Sequence, residues 1–374
     1  MQIADFALER YFARWEFHVR HILCASDLEP MALDELLALA DDESRALWAN
    51  LRLGYTESLG HPLLRREIAG LYDSVAPDDV LTFVGAEEAI FLTMHAALAP
   101  GDHVVVLWPA YQSLYEVARS IGAAVTLVPL DPKHWTVDPE AIIAAIRPNT
   151  RLVVVNFPHS PTGAIAPCEA FLSITSECER RGITLFSDEV YRFLELDAAE
   201  RLSAAVDHGE HTVSLGVMSK AFALAGLRVG WIATHDETLR SRIACLKDYT
   251  TICGSAPSEI LALIALRARD HVIQRSRAII AANLPVLDSF FRRFSEQFAW
   301  VPPRGGSVAF PRLRSDEPQA IDRFCAELVE REGVLLLPGS YFEHEGNHFR
   351  IGYGRADMPQ ALDGLERFVL GRKG

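Results

Sequence analysis

No stretch of this 374-residue chain stays apolar for the roughly 20 residues that a bilayer-spanning helix needs. Basic runs are missing too, beyond isolated pairs such as Arg65-Arg66. With 36 Lys and Arg against 50 Asp and Glu, the formal net charge is −14, which argues against a nucleic-acid partner and speaks mainly to solubility. The six cysteines (Cys24, Cys168, Cys178, Cys245, Cys253, Cys325) have no paired spacing, and no secretory leader is recognised. They are expected to be reduced, mostly buried thiols of a soluble cytoplasmic protein. No helical metal pair of histidines is found: His344 and His348 are four apart, but Gly346 between them argues against a helix. No G-x-G-x-x-G follows an apolar strand, which counts against a nicotinamide enzyme.

What is present is an ordinary globular composition, 49% hydrophobic and 23% charged, on a length suited to two domains. Residues 5–23 place apolar side chains at helical spacing and predict one amphipathic helix, interrupted by the polar turn ASDLEP (25–30). Residues 31–48 predict a second helix, and a third starts near Pro62. From Val80 the rhythm changes. The short β-branched runs VLTFVG, HVVVLWP, AAVTLVPL, RLVVVNFP, ITLFSDEV, HTVSLGV and VGWIATH are separated mostly by helical stretches. Strands apolar on both faces, interleaved with helices, predict an α/β fold with a mainly parallel sheet covered on both sides. A long helix over about 271–297 precedes a C-terminal alternation of helix and strand. The expected division is a large domain over 46–270 and a smaller α/β domain from 1–45 and 271–374.

Chemistry concentrates in LGVMSKAFALAGLRVGW (215–231). Most lysines are solvated surface cations, but Lys220 sits among small and apolar residues. Desolvation disfavours an ammonium and frees the amine as a nucleophile, as a Schiff base with an aldehyde requires. Arg228, eight positions on, can return to the same pocket as an anion clamp.

Three further motifs fall at strand exits, where open α/β sheets bind ligands. In GAEEAI (85–90) a glycine ends a strand and opens a helix, so the amides of Ala86 and Glu87 would face an anion. Taken alone, an ordinary β–α turn is the better reading. NFPHSPTG (156–163) is a rigid proline-rich loop or, with Asn156 buried beside it, a hydrogen-bonding wall. In SDEVYRF, Asp188 ends an apolar strand and needs a cationic or hydrogen-bonding partner, though a capping role is common; Tyr191 could face the same ligand. An anion cradle, a buried carboxylate, a phenol and a desolvated lysine together are what pyridoxal 5′-phosphate needs.

The order GAEEAI … PAYQSLY … NFPHSPTG … SDEVYR … SKAFALAGLRVGW … FRIGYG resembles the class I/II aminotransferases of fold type I, from about Leu53 to Arg355. The resemblance implies a seven-stranded-type sheet, pyridoxal 5′-phosphate as cofactor and a homodimer with shared sites. It implies that Lys220 is the Schiff-base lysine, Asp188 the partner of the pyridine nitrogen and Tyr191 the donor to ring O3′. Tyr111 would stack on the ring, and Ala86, Glu87, Ser219 and Arg228 would form the phosphate cup. Tyr55 in LGYTESLG would reach the neighbouring subunit's phosphate. Arg350 in FRIGYG would grip the substrate α-carboxylate in two hydrogen bonds.

In one respect the chain departs from this family. Ser160 stands where the family has the asparagine of Asn-Pro-Thr-Gly, so a contact to O3′ or to the substrate carboxylate is lost or bridged by water. The implied reaction is transfer of an amino group between an L-amino acid and a 2-oxo acid. PAYQSL and RLVVVNFPHSPTG also resemble capreomycidine-synthase-like enzymes, which implies elimination or cyclisation on an arginine-like amino acid as an alternative. A non-catalytic sensor domain is a further alternative, but the acidic N-terminus has no basic helix-turn-helix pattern. Asp27 and Glu29 in the N-terminal turn either face the far end of a basic substrate or serve as caps. His159, Trp108 and Trp231 are expected to be structural, and Arg355 to form a surface ion pair.

Overall fold

The computed structural model describes residues 2–372, so positions 1 and 373–374 of the expected smaller domain lie outside the description. Among these residues a seven-stranded sheet is built from β1 (Val80–Phe83), β2 (His103–Trp108), β3 (Ala124–Pro129), β4 (Thr150–Asn156), β5 (Thr184–Asp188), β6 (Thr212–Val217) and β7 (Gly230–Ala233). The spatial order is β1-β7-β6-β5-β4-β2-β3. All pairings are parallel except the two made by β7, so the other six strands run the same way.

Alternation along each strand explains why the apolar runs are unbroken. Val105, Leu107, Val153, Val155 and Leu185 pack on one face against Phe171, Ile174 and Cys178 of the helix Cys168–Arg181. Val104, Val106, Leu152, Val154 and Phe186 pack on the other against the helices Ala86–Ala97 and Ser113–Ile121. Both faces are therefore dry, as the sequence pattern predicts.

The ends of the chain meet. His21–Ile22 pairs in parallel with Val334–Leu335, and a three-stranded sheet joins Val308–Ala309, Phe349–Gly352 and Leu337–Pro338. Here the expected helix boundaries need correction. The helix α1 covers only Ala7–Trp15, because the segment carrying Val19 and Ile22 leaves it to reach the pairing with Val334–Leu335. The helix expected over 31–48 is two, Leu33–Ala38 and Asp42–Ala49, broken where the Asp41 side chain caps the second by accepting from the Ser44 amide (2.7 Å). Likewise Ala256–Arg267 is helical before the long helix Arg269–Arg293 begins. Cys24, Cys178 and Cys325 are buried, whereas Cys168 and Cys245 are exposed, so burial is the rule for only part of the set. Among the described residues no helix is long and apolar enough to cross a membrane, and no cluster of His, Cys, Asp or Glu is arranged to hold a metal.

Candidate active site

Because β1, β2, β4, β5 and β6 run the same way, their C-terminal ends open on one edge of the sheet. A cavity of about 420 Å³ lies there. Its wall takes Ala86 and Glu87 from the turn after β1, Tyr111 from the turn after β2 and Ser160 from the loop after β4. Asp188 and Tyr191 come from the end of β5, Ser219 and Lys220 from the turn after β6, and Arg228 from the turn before β7. Arg350, from the strand Phe349–Gly352, completes the wall. Tyr55 and Asn156 do not line it. Tyr55 is 91% exposed on the molecular surface. Asn156 is buried behind the wall, donating to the Asp188 carbonyl (2.8 Å) and accepting from the Ser160 amide (2.6 Å).

Asp188 is buried, and burial pushes its carboxyl up to about 7, against the pull of the Val190 amide and the Lys220 charge. Such a group is poised to keep a nearby cation protonated. Lys220 donates to the Ser26 hydroxyl (2.8 Å), and the Tyr191 hydroxyl donates to the Ser26 carbonyl (3.0 Å). Tyr111 donates to Glu9 (3.1 Å), and burial holds its phenol neutral. Arg350 is 2% exposed and donates from Nε to the Cys24 carbonyl (3.0 Å) while lying over the rings of Phe12 and Phe342.

The anion cradle has a steric signature. Gly85 precedes the twelve-residue helix Ala86–Ala97 at φ +87°, and a Cβ there would collide with the Arg228 guanidinium. Arg228 itself adopts φ +52°, a region a side chain seldom occupies. A Cβ on Gly230 would lie 2.7 Å from the Gly85 carbonyl carbon. The two glycines thus let the helix terminus, Arg228 and the start of β7 approach closely, and with Ser219 they form a cradle that suits a phosphate. With Lys220 and Asp188 on the same wall, the residues fit pyridoxal 5′-phosphate.

Residues 23–365 match the family described as aminotransferase class I and II. The chain belongs to that family. It is 31% identical over 345 residues to the aspartate/prephenate aminotransferase of Thermus thermophilus, covering 88% of this chain and 87% of that one. It is 33% identical over 309 residues to the capreomycidine synthase of Streptomyces vinaceus, covering 82% and 78%. The crystal structure of the PLP-dependent cyclase OrfR superposes with a TM-score of 0.90 at 32% identity, covering 100% of this chain and 98% of that one. This aminotransferase-family protein is therefore a fold type I enzyme with pyridoxal 5′-phosphate as its cofactor.

The enzyme's cavity also holds residues that its sequence did not single out for the site. Leu8, Glu9 and Phe12 reach it from α1, Glu16 from the position just after that helix, and Ala25 and Ser26 from the following turn. Periodicity revealed a helix but carried no sign of what it covers. Burial, aided by the neighbouring charges of Asp27 and Glu9, raises the Glu16 carboxyl. Burial likewise pushes Glu87 up to about 7. Asp27 lies in the wall but is paired with Arg355 (2.8 Å), whereas Glu29 caps the backbone at Ala356 (2.9 Å) and is not part of the cavity. His159 is buried, and burial pushes it down to about 3. Trp231 packs against Gly216, and Trp108 stacks on His344.

Proposed function

We propose that the enzyme transfers the amino group of an L-amino acid with a cationic side chain to a 2-oxo acid. One observation carries this reading: a single cavity joins Lys220, Asp188, Tyr191 and Arg350 to the carboxylates Glu9, Glu16 and Asp27. Arg350 binds the α-carboxylate, since its planar guanidinium matches that group in two hydrogen bonds. When bound, pyridoxal 5′-phosphate supplies an electrophilic carbonyl and an electron sink for charge developing at the substrate Cα. Asp188 would hold a proton at the pyridine nitrogen, and Tyr191 would turn its hydroxyl from the Ser26 carbonyl toward ring O3′. The Lys220 amine would take the proton from the substrate Cα as general base and, as an ammonium, deliver it to the cofactor's aldehyde carbon as general acid. Ala86, Glu87, Ser219 and Arg228 would anchor the phosphate, and Tyr111 would cover the ring. A substrate cation near Glu9 and Glu16 relieves the crowding of like charges there, by roughly 1–4 kcal/mol per close pair at intermediate dielectric.

The exposure of Tyr55, Leu53 and Tyr249, at 91%, 86% and 86%, supports a homodimer in which Tyr55 reaches the partner's phosphate. Elimination or cyclisation on an arginine-like amino acid is the second reading. Ser160 in place of the usual asparagine favours it, as does the similarity to a capreomycidine synthase and a cyclase.

The test incubates the holoenzyme with arginine, ornithine, leucine or glutamate, with and without a 2-oxo acid, and identifies the products. The account expects arginine or ornithine to lead as donor and the added oxo acid to be aminated. A cyclic product formed without consumption of the oxo acid would replace transamination by the second reading. Equal use of leucine, unchanged by Glu16→Gln, would remove the cationic substrate.

A further inference from the structure

Strand alternation sends Asp188 toward the cavity and its neighbours Ser187 and Glu189 to the opposite side. There they line, with Arg192, a separate chamber of about 10 Å³. That is room for about one water molecule. Ser187 is 1% exposed and Glu189 7%, so both are more than nine-tenths buried. Ser187 Oγ, Glu189 Oε2 and Arg192 Nε are buried, and none of the three has a hydrogen-bond partner in the chain. Other polar atoms of Glu189 and Arg192 are anchored. Glu189 Oε1 accepts from the Ser214 hydroxyl and the Ala205 amide, both at 2.8 Å. Arg192 Nη1 donates to the Leu202 carbonyl (2.6 Å), and the Arg192 amide donates to the Glu189 carbonyl (2.8 Å). The Ser187 hydroxyl lies close enough to favour the Glu189 charge without forming a well-shaped hydrogen bond to it.

The chemistry of the three atoms is complementary to water. Arg192 Nε can only donate, Glu189 Oε2 accepts, and the serine hydroxyl does either. A water molecule offers two donors and two acceptors, and buried waters typically make about three such bonds. We propose that the chamber binds a single water joining Ser187 Oγ, Glu189 Oε2 and Arg192 Nε, and that Ser187 and Glu189 act through it as positioning residues for Asp188 and Tyr191. Covalent connection links the rear side chains to the front ones. Over residues 187–192 the cavity-lining Asp188, Val190 and Tyr191 are interleaved with Ser187, Glu189 and Arg192, which line the rear chamber. Fixing the rear side chains fixes the backbone that aims the front ones. Burial raises the Glu189 carboxyl, and the Arg192 charge opposes that rise.

The positioning half rests on the placement of Asp188 and Tyr191 at the cofactor; the water half does not. The test is a crystal structure of the wild-type holoenzyme at a resolution that shows ordered water, beside visible circular dichroism of wild type and Ser187→Ala. We expect one water peak within hydrogen-bonding distance of all three atoms. Ser187→Ala should lose that peak and show reduced ellipticity of the bound cofactor, with phosphate-cup affinity unchanged. A chamber without water in the wild type would overturn the proposal. A water peak with unaltered ellipticity in Ser187→Ala would overturn the positioning role. Failure of Lys220 to hold the cofactor would instead strike the functional reading and leave the water peak in place.

Discussion

Asp188 shows what burial does to a single carboxyl. Its pKa in the folded chain without cofactor lies near 7, above the ordinary value of 3.8. A raised acid contributes its stability below the unfolded value and loses it as pH rises through the folded one. Apo wild type should therefore lose stability relative to apo Asp188→Asn between about pH 4 and pH 7. Thermal melts of the two proteins across that range check this, and a constant difference would mean that Asp188 is not so desolvated. Arg350 makes the opposite case, a guanidinium that acts by the shape of its planar fork. Arg350→Lys should raise the KM for the amino acid by about 10- to 100-fold, the equivalent of one charge-assisted hydrogen bond worth about 1.5–3 kcal/mol. Cofactor affinity should not change. Steady-state kinetics and a cofactor titration separate the two effects, and an unchanged KM would move the anchor to Arg355.

The junction of β7 with the helix Ala86–Ala97 sets the phosphate cradle, and its clearance is backbone against backbone. Gly230→Ala puts a methyl 2.7 Å from the Gly85 carbonyl carbon, which no side-chain rotation can relieve. We expect at least a tenfold loss in cofactor affinity, about 1.4 kcal/mol, by fluorescence titration of the apoenzyme. Wild-type affinity in this variant would show that the cradle is more yielding than its geometry. The strand exits were legible in the sequence because each motif sits directly after an apolar run that only a doubly covered sheet explains. The contribution of α1 was not. Nothing in the spacing of residues 5–23 shows that the helix stops at Trp15, or that Glu9, Phe12 and Glu16 turn over the cavity. That placement depends on the pairing of His21–Ile22 with Val334–Leu335, more than 300 residues away. Ser26 was invisible for the same reason, since its contacts with Lys220 and Tyr191 are purely tertiary. Asn156 is a subtler case, polar and buried as expected, yet supporting the wall from behind.

As an assembly, the enzyme is proposed to complete each site with a partner's Tyr55. Mixing Tyr55→Phe with Lys220→Ala subunits tests this, because one site of the heterodimer then carries both defects and the other neither. Activity should rise above that of either variant alone, toward about a quarter of wild type in an equimolar, freely exchanging mixture, because half of the dimers are heterodimers and each has one intact site. No recovery after proven exchange would place Tyr55 in its own subunit's site. The cradle, the segment carrying Asp188 and Tyr191, and α1 all face the cavity that Lys220 lines. Borohydride reduction of the purified holoenzyme followed by peptide mapping tests directly whether Lys220 holds the cofactor. The account predicts a stable cofactor adduct on Lys220 alone, and its absence in Lys220→Ala protein that still binds the cofactor through the phosphate cup. An adduct on any other lysine, or a protein that takes up no pyridoxal 5′-phosphate, would contradict it.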